Sequence, residues 1–85
     1  MTPLRKMMIA DLRIRNYSER TQKTYIDQVA KFALHFGKSP EFLGPEHIRE
    51  YQIHLLERQR ASYTTFNQTV SALRFLYKFT LGREL

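Results

Sequence analysis

Apolar residues recur at intervals of three and four along most of the chain, which is the spacing of amphipathic helices. The clearest stripe comprises Thr21, Tyr25, Val29, Phe32 and Phe36, separated by four, four, three and four positions. Ser18 precedes this stripe and can cap a helix, while Gly37 follows it and can end one. We find no alternating pattern of the kind that predicts strands. The sequence therefore predicts an all-α protein.

Three more helices are predicted around this one. Helix one opens at Thr2 and Pro3 and runs to about Arg15, with an apolar face formed by Leu4, Met8 and Leu12. Helix three starts at Pro45, with an inward face of Ile48, Tyr51, Leu55 and Leu56. Helix four starts at Ser62 and ends at Gly82, with an inward face of Phe66, Val70, Leu73, Leu76 and Tyr77. Four helices joined by short connections predict a compact four-helix bundle.

The connections between the helices are short and contain residues that break helices. Asn16 and Tyr17 join the first two helices, and residues 58–61 precede the fourth. The segment Lys38–Gly44 contains Ser39-Pro40 and then Phe42-Leu43, so we expect a loop with one buried apolar anchor.

Length and composition limit what such a bundle can be. Eighty-five residues that are 42% hydrophobic can bury one modest core, so residues 1–85 are expected to form one domain without a separate catalytic lobe. The sequence contains no cysteine, which excludes disulfides and thiolate metal sites and fits a reducing, cytoplasmic compartment. No apolar run reaches the roughly 18 residues that span a bilayer.

The charge of the chain favours an anionic partner. Fourteen Lys and Arg against eight Asp and Glu give a formal net charge of +6. Such an excess is typical of domains that bind nucleic acid, although a well-solvated surface has the same composition.

The outer faces of helices two and four differ in chemistry. Helix two presents mostly charged residues opposite its apolar stripe: Arg20, Lys23, Asp27 and Lys31, with Thr24 beside them. Helix four instead presents Thr64, Asn67, Gln68 and Ser71, followed by Arg74 and Lys78. Amides and hydroxyls hydrogen-bond base edges and phosphates, so this pair of faces predicts a DNA contact. Ordinary solvated surface is the alternative for both.

At these residues the chain resembles the N-terminal core-binding domain of tyrosine recombinases, the SAM-like domain of the phage and integron integrase family. The resemblance covers roughly residues 12–81. It rests on the Ser18, Thr21, Tyr25 spacing of helix two and on the segment Gly44–Tyr51 with Leu55. In helix four it rests on Ser62, Thr65, Asn67, the run Ser71–Arg74, and Tyr77.

The resemblance implies a function and a set of contact residues. Family members clamp duplex DNA between this domain and a C-terminal catalytic domain, and their second and fourth helices cross the major groove. The DNA-binding residues implied here are Arg20, Thr21, Lys23, Thr24, Thr64, Asn67, Gln68, Ser71 and Arg74. Thr21 lies at the edge of the apolar stripe, where it can also cap or pack the helix. The implied partners are double-stranded DNA, the catalytic domain of the same protein and other recombinase protomers on the DNA, in the bacterial cytoplasm.

Catalysis is not expected from this chain by itself. The resemblance implies a tyrosine nucleophile in the C-terminal domain, which is expected to be absent here. Tyr25, Tyr51 and Tyr77 lie on predicted core stripes, and Tyr17 and Tyr63 lie at helix junctions. His47 and His54 lack a third ligand nearby, so neither a metal nor another cofactor is predicted. Glu46 with Arg49, and Glu50 with His54, are expected to be local helix pairs.

Several apolar residues fall outside the predicted core faces, namely Met7, Ile14, Ile53, Phe75 and Phe79. Phe75, Phe79 and Leu81 could pack against absent partners, or a slightly rotated helix could bury them in this core.

Two other classes of protein share some of these features. A helix-turn-helix regulator is also small, basic and helical, but it joins its two helices by a short turn. A SAM-like module that binds another protein would share the bundle without binding DNA.

Overall fold

In the computed structural model, which describes residues 2–84, four α-helices pack around one core. Helix α1 spans Pro3–Ile14, α2 Glu19–Phe36, α3 Pro45–Glu57 and α4 Tyr63–Phe75. A short 3-10 turn at Pro40–Phe42 lies between α2 and α3, and a π-helical segment, Leu76–Thr80, continues α4. The all-α, four-helix prediction is confirmed.

Ser18 and Ser62 begin their helices in the same way. The Ser18 hydroxyl oxygen accepts a hydrogen bond from the Thr21 N–H at 3.2 Å and donates to the Thr21 hydroxyl at 3.0 Å. Ser62 makes the same two bonds to Thr65, at 3.2 and 3.1 Å. Each serine thus satisfies one N–H group that the first turn would otherwise leave without an acceptor.

The first two helices end at residues with left-handed backbone conformation. Asn16 (φ 61°) follows α1 and Gly37 (φ 66°) follows α2. Past each of them, the next N–H turns back to a carbonyl of the last turn: Tyr17 to Leu12 at 3.0 Å, and Lys38 to Ala33 at 3.2 Å. This geometry stops the helix and satisfies its last carbonyls.

The core lies where α2 and α4 meet, with α1 and α3 packed on either side. Its fully buried members are apolar residues of all four helices and of the connecting loop: Met8, Leu12, Phe32, Leu43, Tyr51, Leu55, Leu73, Phe75, Leu76 and Tyr77. The loop anchor is Leu43, since Phe42 beside it is 74% exposed. The Tyr77 hydroxyl donates to the Pro40 carbonyl at 2.7 Å and so fixes the 3-10 turn against α4.

The predicted position of Leu56 is wrong, and of the two alternatives for Phe75 the structure shows burial in this core. Phe75, expected off the core face, is only 3% exposed, because the rings of Tyr17 and Tyr25 cover it at centroid distances of 5.3 and 6.3 Å. Leu56, expected to face inward, is 56% exposed. Phe79 remains partly exposed, with the Arg15 guanidinium 4.2 Å from its ring centroid, and Leu81 packs against the core.

The predicted fourth helix changes its geometry before Gly82. Residues Leu76–Thr80 form wider, π-helical turns, and the Leu81 N–H donates to the Leu76 carbonyl, five residues earlier, at 2.8 Å. A π-turn contains one more residue than an α-turn, so it rotates the side chains that follow. Within this segment the Thr80 hydroxyl donates to Asp11 of α1 at 2.9 Å.

A buried polar contact joins α2 to α4. The Thr69 hydroxyl, which is fully buried, lies 2.9 Å from Gln28 Oε1 and 3.0 Å from the Thr65 carbonyl, and shares its single proton between these two acceptors. The sequence pattern predicts neither residue as a core member, because polar side chains do not contribute to an apolar stripe.

Removal of this contact should destabilise the domain. Thr69→Val keeps the shape of the side chain but leaves the buried Gln28 amide without its partner, which costs about 1–2 kcal/mol. Thr64→Val, on the exposed face of the same helix, should change the free energy of unfolding by less than about 0.5 kcal/mol. Urea denaturation of both variants measures the difference. Equal midpoints would show that the Gln28–Thr69 contact contributes nothing to stability.

Candidate nucleic-acid interface

The predicted DNA-binding residues belong to two helices that pack directly against each other. Gln28 contacts Thr69, and the rings of Tyr25 and Phe75 lie 6.3 Å apart. Thr24 lies one turn before Gln28 on α2, and Gln68 immediately precedes Thr69 on α4. These two residues therefore flank the line of contact between the helices, and both are partly exposed.

On α2 the threonine hydroxyls form hydrogen bonds within the domain, whereas the charged side chains do not. Arg20 and Lys23 are exposed, and neither has a hydrogen-bond acceptor or a carboxylate partner among residues 2–84. Thr21 is half-buried and accepts the bond from Ser18. Thr24 donates to the Arg20 carbonyl at 3.0 Å. The two cations can thus bind an external anion without breaking an internal contact, whereas the two threonines are already engaged in local hydrogen bonds.

On α4 the polar residues are free. Thr64, Asn67 and Ser71 are exposed, Gln68 is half-exposed, and their side chains make no hydrogen bond within the described part of the chain. The other hydroxyls of this helix behave differently, since Thr65 takes part in the cap and Thr69 in the buried contact. This face therefore combines two amides and two hydroxyls that can donate to or accept from a ligand.

Arg74 occupies a second surface as well. It lines a groove of about 510 Å³ between α3 and α4, with four apolar residues lining it: Pro45, Ile48, Val70 and Leu73. The polar residues of the groove are Arg49, Gln52, Arg74, Lys78, Arg83 and Glu84. We call this feature the α3–α4 groove.

The sequence pattern does not predict this groove. Arg49 and Gln52 lie three apart on α3 and share one side of that helix. Arg74 lies near the end of α4, and Lys78 lies in the π-helical segment that continues it. Only the packing of the two helices brings these residues together. The predicted pairing of Arg49 with Glu46 is wrong, as is that of Glu50 with His54, because neither ion pair occurs within residues 2–84.

Carboxylates neutralise few of the basic residues. Within residues 2–84, the contacts between acidic and basic side chains are Asp11 with Arg15 at 4.0 Å and Glu46 with His47 at 3.3 Å. The Gly44 N–H also donates to His47 Nδ1 at 3.0 Å. The remaining Lys and Arg side chains of this region lack a carboxylate partner, so their charge is available to an anionic ligand.

The tyrosines lie in structural positions. Tyr51 and Tyr77 are buried, and Tyr17 and Tyr25 pack against the core. Burial raises the pKa of Tyr77 to about 12, which opposes the formation of a phenolate, and its hydroxyl is bound to the Pro40 carbonyl. Tyr63 is 80% exposed, and no Lys or Arg of the described residues lies over its ring. None of these settings activates a nucleophile.

The histidines are likewise engaged in packing. His47 lies against Phe36, with ring centroids 5.1 Å apart, and His54 lies against His35 at 4.4 Å. The described residues contain no group of three or more side chains that could hold a metal ion.

Comparison with known proteins agrees with the resemblance noted in the sequence. The family model of the phage integrase N-terminal SAM-like domain matches residues 4–85. The chain belongs to this family. Domains of this family are the DNA-binding N-terminal domains of integrases and recombinases.

Three relatives share the domain over nearly all of this chain. A protein of Sinorhizobium fredii with the provisional name integrase/recombinase y4qK is 44% identical over 84 residues, which is 99% of the chain. Proteins named integrase/recombinase from Escherichia coli and Pseudomonas aeruginosa are each 29% identical over 91 aligned positions. The chain spans only 27% of the length of each of these relatives.

No solved structure gives a significant match to this integrase domain. Across residues 2–84, the helices are too short or too polar to cross a membrane.

Proposed function

We propose that this domain grips duplex DNA through α2 and α4 as part of a site-specific tyrosine recombinase, whose strand cleavage and rejoining take place in a separate catalytic domain. The observation that supports this most strongly is the chemistry of the exposed residues on two helices that pack directly against each other. It combines cations on α2 that have no carboxylate partner with free amides and hydroxyls on α4.

The exposed residues of the two helices have different roles in the proposal. Arg20 and Lys23 bind phosphate oxygens, which positions the domain on any duplex. Asn67 and Gln68 reach base edges, where an amide can pair bidentately with adenine. Thr64 and Ser71 donate hydrogen bonds to phosphate or base. Arg74 adds a further positive charge near the end of α4. Thr21 and Thr24 contribute less, because their hydroxyls already form local hydrogen bonds.

Family membership favours this proposal over the other classes considered. In the structure α3 separates α2 from α4 along the chain, so the two helices are not joined by the short turn of a helix-turn-helix regulator. A protein-binding SAM-like module would not need the unpartnered cations.

The expected result is weak, salt-dependent binding to duplex DNA by the isolated chain. Non-specific affinities of this kind correspond to dissociation constants of about 10⁻⁴ to 10⁻⁶ M near physiological salt. Arg20→Ala and Lys23→Ala should each lower the slope of log Kd against log salt by about one, because each removes one phosphate contact. Fluorescence anisotropy of a labelled duplex between 20 and 200 mM NaCl, roughly the range over which counterion release acts, gives these slopes.

Two control variants separate phosphate contact from general effects. Asn67→Ala removes an exposed side chain without changing charge and should leave the salt slope as in the wild type. Arg13→Ala removes an exposed cation of α1, outside the proposed surface. The proposal fails if the duplex does not bind at low salt, or if all four variants have the same small effect.

A further inference from the structure

The α3–α4 groove is strongly basic, and of its lining residues only Arg74 belongs to the proposed DNA contact of α2 and α4. Four of its side chains are cationic (Arg49, Arg74, Lys78 and Arg83), and Glu84 is its only acidic residue. Within residues 2–84, none of the four cations lies within 4.0 Å of a carboxylate. Such an excess of unneutralised charge in a concave surface concentrates anions.

The four cations are held in different ways. Arg83 is tethered, since its guanidinium donates to the Glu41 carbonyl at 2.6 Å and to the Leu43 carbonyl at 3.3 Å. Its charge thus stays at one end of the groove. Arg49, Arg74 and Lys78 are exposed and make no hydrogen bond within the described region. Arg49 and Arg74 can therefore turn toward a ligand, whereas Lys78 Nζ lies 5.3 Å from the centroid of the Phe79 ring and would leave that contact to do so.

Arg74 makes the groove continuous with the α2–α4 surface. It follows Ser71 by three positions on α4, so the two side chains are neighbours on that helix. Arg74 also lines the groove, together with Lys78 one turn further on. A polyanion that lies along the outer face of α4 would thus meet the cations of the groove as well.

The chemistry of the groove fits phosphate better than bases. Its apolar floor consists of Pro45, Ile48, Val70 and Leu73, and contains no aromatic ring on which a base could stack. Gln52 is its one side-chain amide. Long cationic side chains beside aliphatic residues bind the sugar–phosphate backbone by charge and do not distinguish one base sequence from another.

We propose that the α3–α4 groove is a second phosphate-binding surface, which takes the sugar–phosphate backbone of the same duplex beyond the contact made by α2 and α4. This inference rests on the proposed function, since it assumes that DNA occupies the α2–α4 surface. It assigns phosphate contact to Arg49 and Lys78, neither of which is among the DNA-binding residues that the family resemblance implies, and it widens the footprint of the domain on DNA.

The test uses Arg49→Ala and Lys78→Ala in the same anisotropy titration. Each variant should lower the salt slope by about one and weaken binding at 50 mM NaCl by about tenfold. Arg49→Glu should weaken it further, because a carboxylate then faces the phosphates. Arg13→Ala is the matched control, since it removes the same charge from the exposed face of α1. Circular dichroism melting should show nearly unchanged stability, because the replaced side chains are exposed and have no carboxylate partner within residues 2–84, and Lys78→Ala loses only an exposed contact with the Phe79 ring.

Three results would overturn the inference in distinguishable ways. If Arg20→Ala weakens binding while both groove variants behave like Arg13→Ala, the groove does not contact DNA and the proposed function still stands. If the wild-type chain fails to bind duplex at 50 mM NaCl, the proposed function fails together with the groove. If the groove variants bind DNA normally but lose binding to poly-L-glutamate, the groove is a site for acidic peptides.

Discussion

Replacement of Phe32 by alanine should destabilise the domain by about 3–5 kcal/mol, the largest effect expected from one substitution on α2. Phe32 is fully buried, and its ring meets Phe36 and Tyr51 edge to face at centroid distances of 5.4 and 5.3 Å. Because Tyr51 lies on α3, the cavity would open at the junction of two helices. Urea denaturation followed by circular dichroism measures the loss.

The control for this prediction lies on the same helix. Leu34 is 81% exposed, so Leu34→Ala should change the free energy of unfolding by less than about 0.5 kcal/mol. Phe32→Leu keeps much of the side-chain volume and should fall between the two. Similar denaturation midpoints for Phe32→Ala and Leu34→Ala would contradict the core described here.

The second large effect is a loss of stability in alkaline solution. Burial raises the pKa of Tyr77 from 10.0 to about 12, so the folded state keeps a proton that the unfolded state releases above pH 10. Between these values the unfolded state binds fewer protons, and the free energy of unfolding falls by about 1.4 kcal/mol per pH unit. The contribution is fully present below pH 10. Burial also raises the pKa of Tyr51, which acts in the same direction.

Tyr77→Phe isolates this effect. The variant should be less stable by about 1 kcal/mol at pH 7, because it lacks the hydrogen bond to the Pro40 carbonyl. Between pH 10 and 12 its stability should decline less steeply than that of the wild type, since it has no buried phenol at this position. Thermal melts at several pH values compare the two slopes. Parallel declines would show that Tyr77 does not titrate as described.

The helix starts could be predicted from the sequence because they depend on neighbouring residues. Ser18 and Ser62 cap through bonds to residues three positions later, and Gly37 ends α2 through its own backbone conformation. These interactions need no knowledge of how the helices pack. For the same reason, the exposure of Arg20, Lys23 and Asn67 followed correctly from the periodicity of their own helices.

The burial of a residue could not be predicted from the sequence where it depends on how several helices pack together. The helical periodicity of α4 alone places Phe75 outside the apolar face of that helix. In the structure the rings of Tyr17 and Tyr25, from an earlier part of the chain, pack against Phe75 and bury it. Leu56, near the end of α3, has the helical spacing of a core residue, but no neighbouring helix covers it and it stays exposed. The α3–α4 groove could not be predicted for the same reason. Arg49 and Lys78 are distant in sequence and line one groove only because α3 and α4 pack together.

The scarcity of carboxylate partners affects the free domain as well as its ligand. Within residues 2–84 most Lys and Arg side chains have no carboxylate partner. A chain with a formal net charge of +6 therefore carries like charges that repel one another in the compact state. A ligand that binds the folded state and not the unfolded chain adds to folding stability by mass action. Bound DNA would supply the counter-charge that the sequence lacks. On the proposed function, the cations that bind DNA would therefore make the folded domain most stable while it is bound.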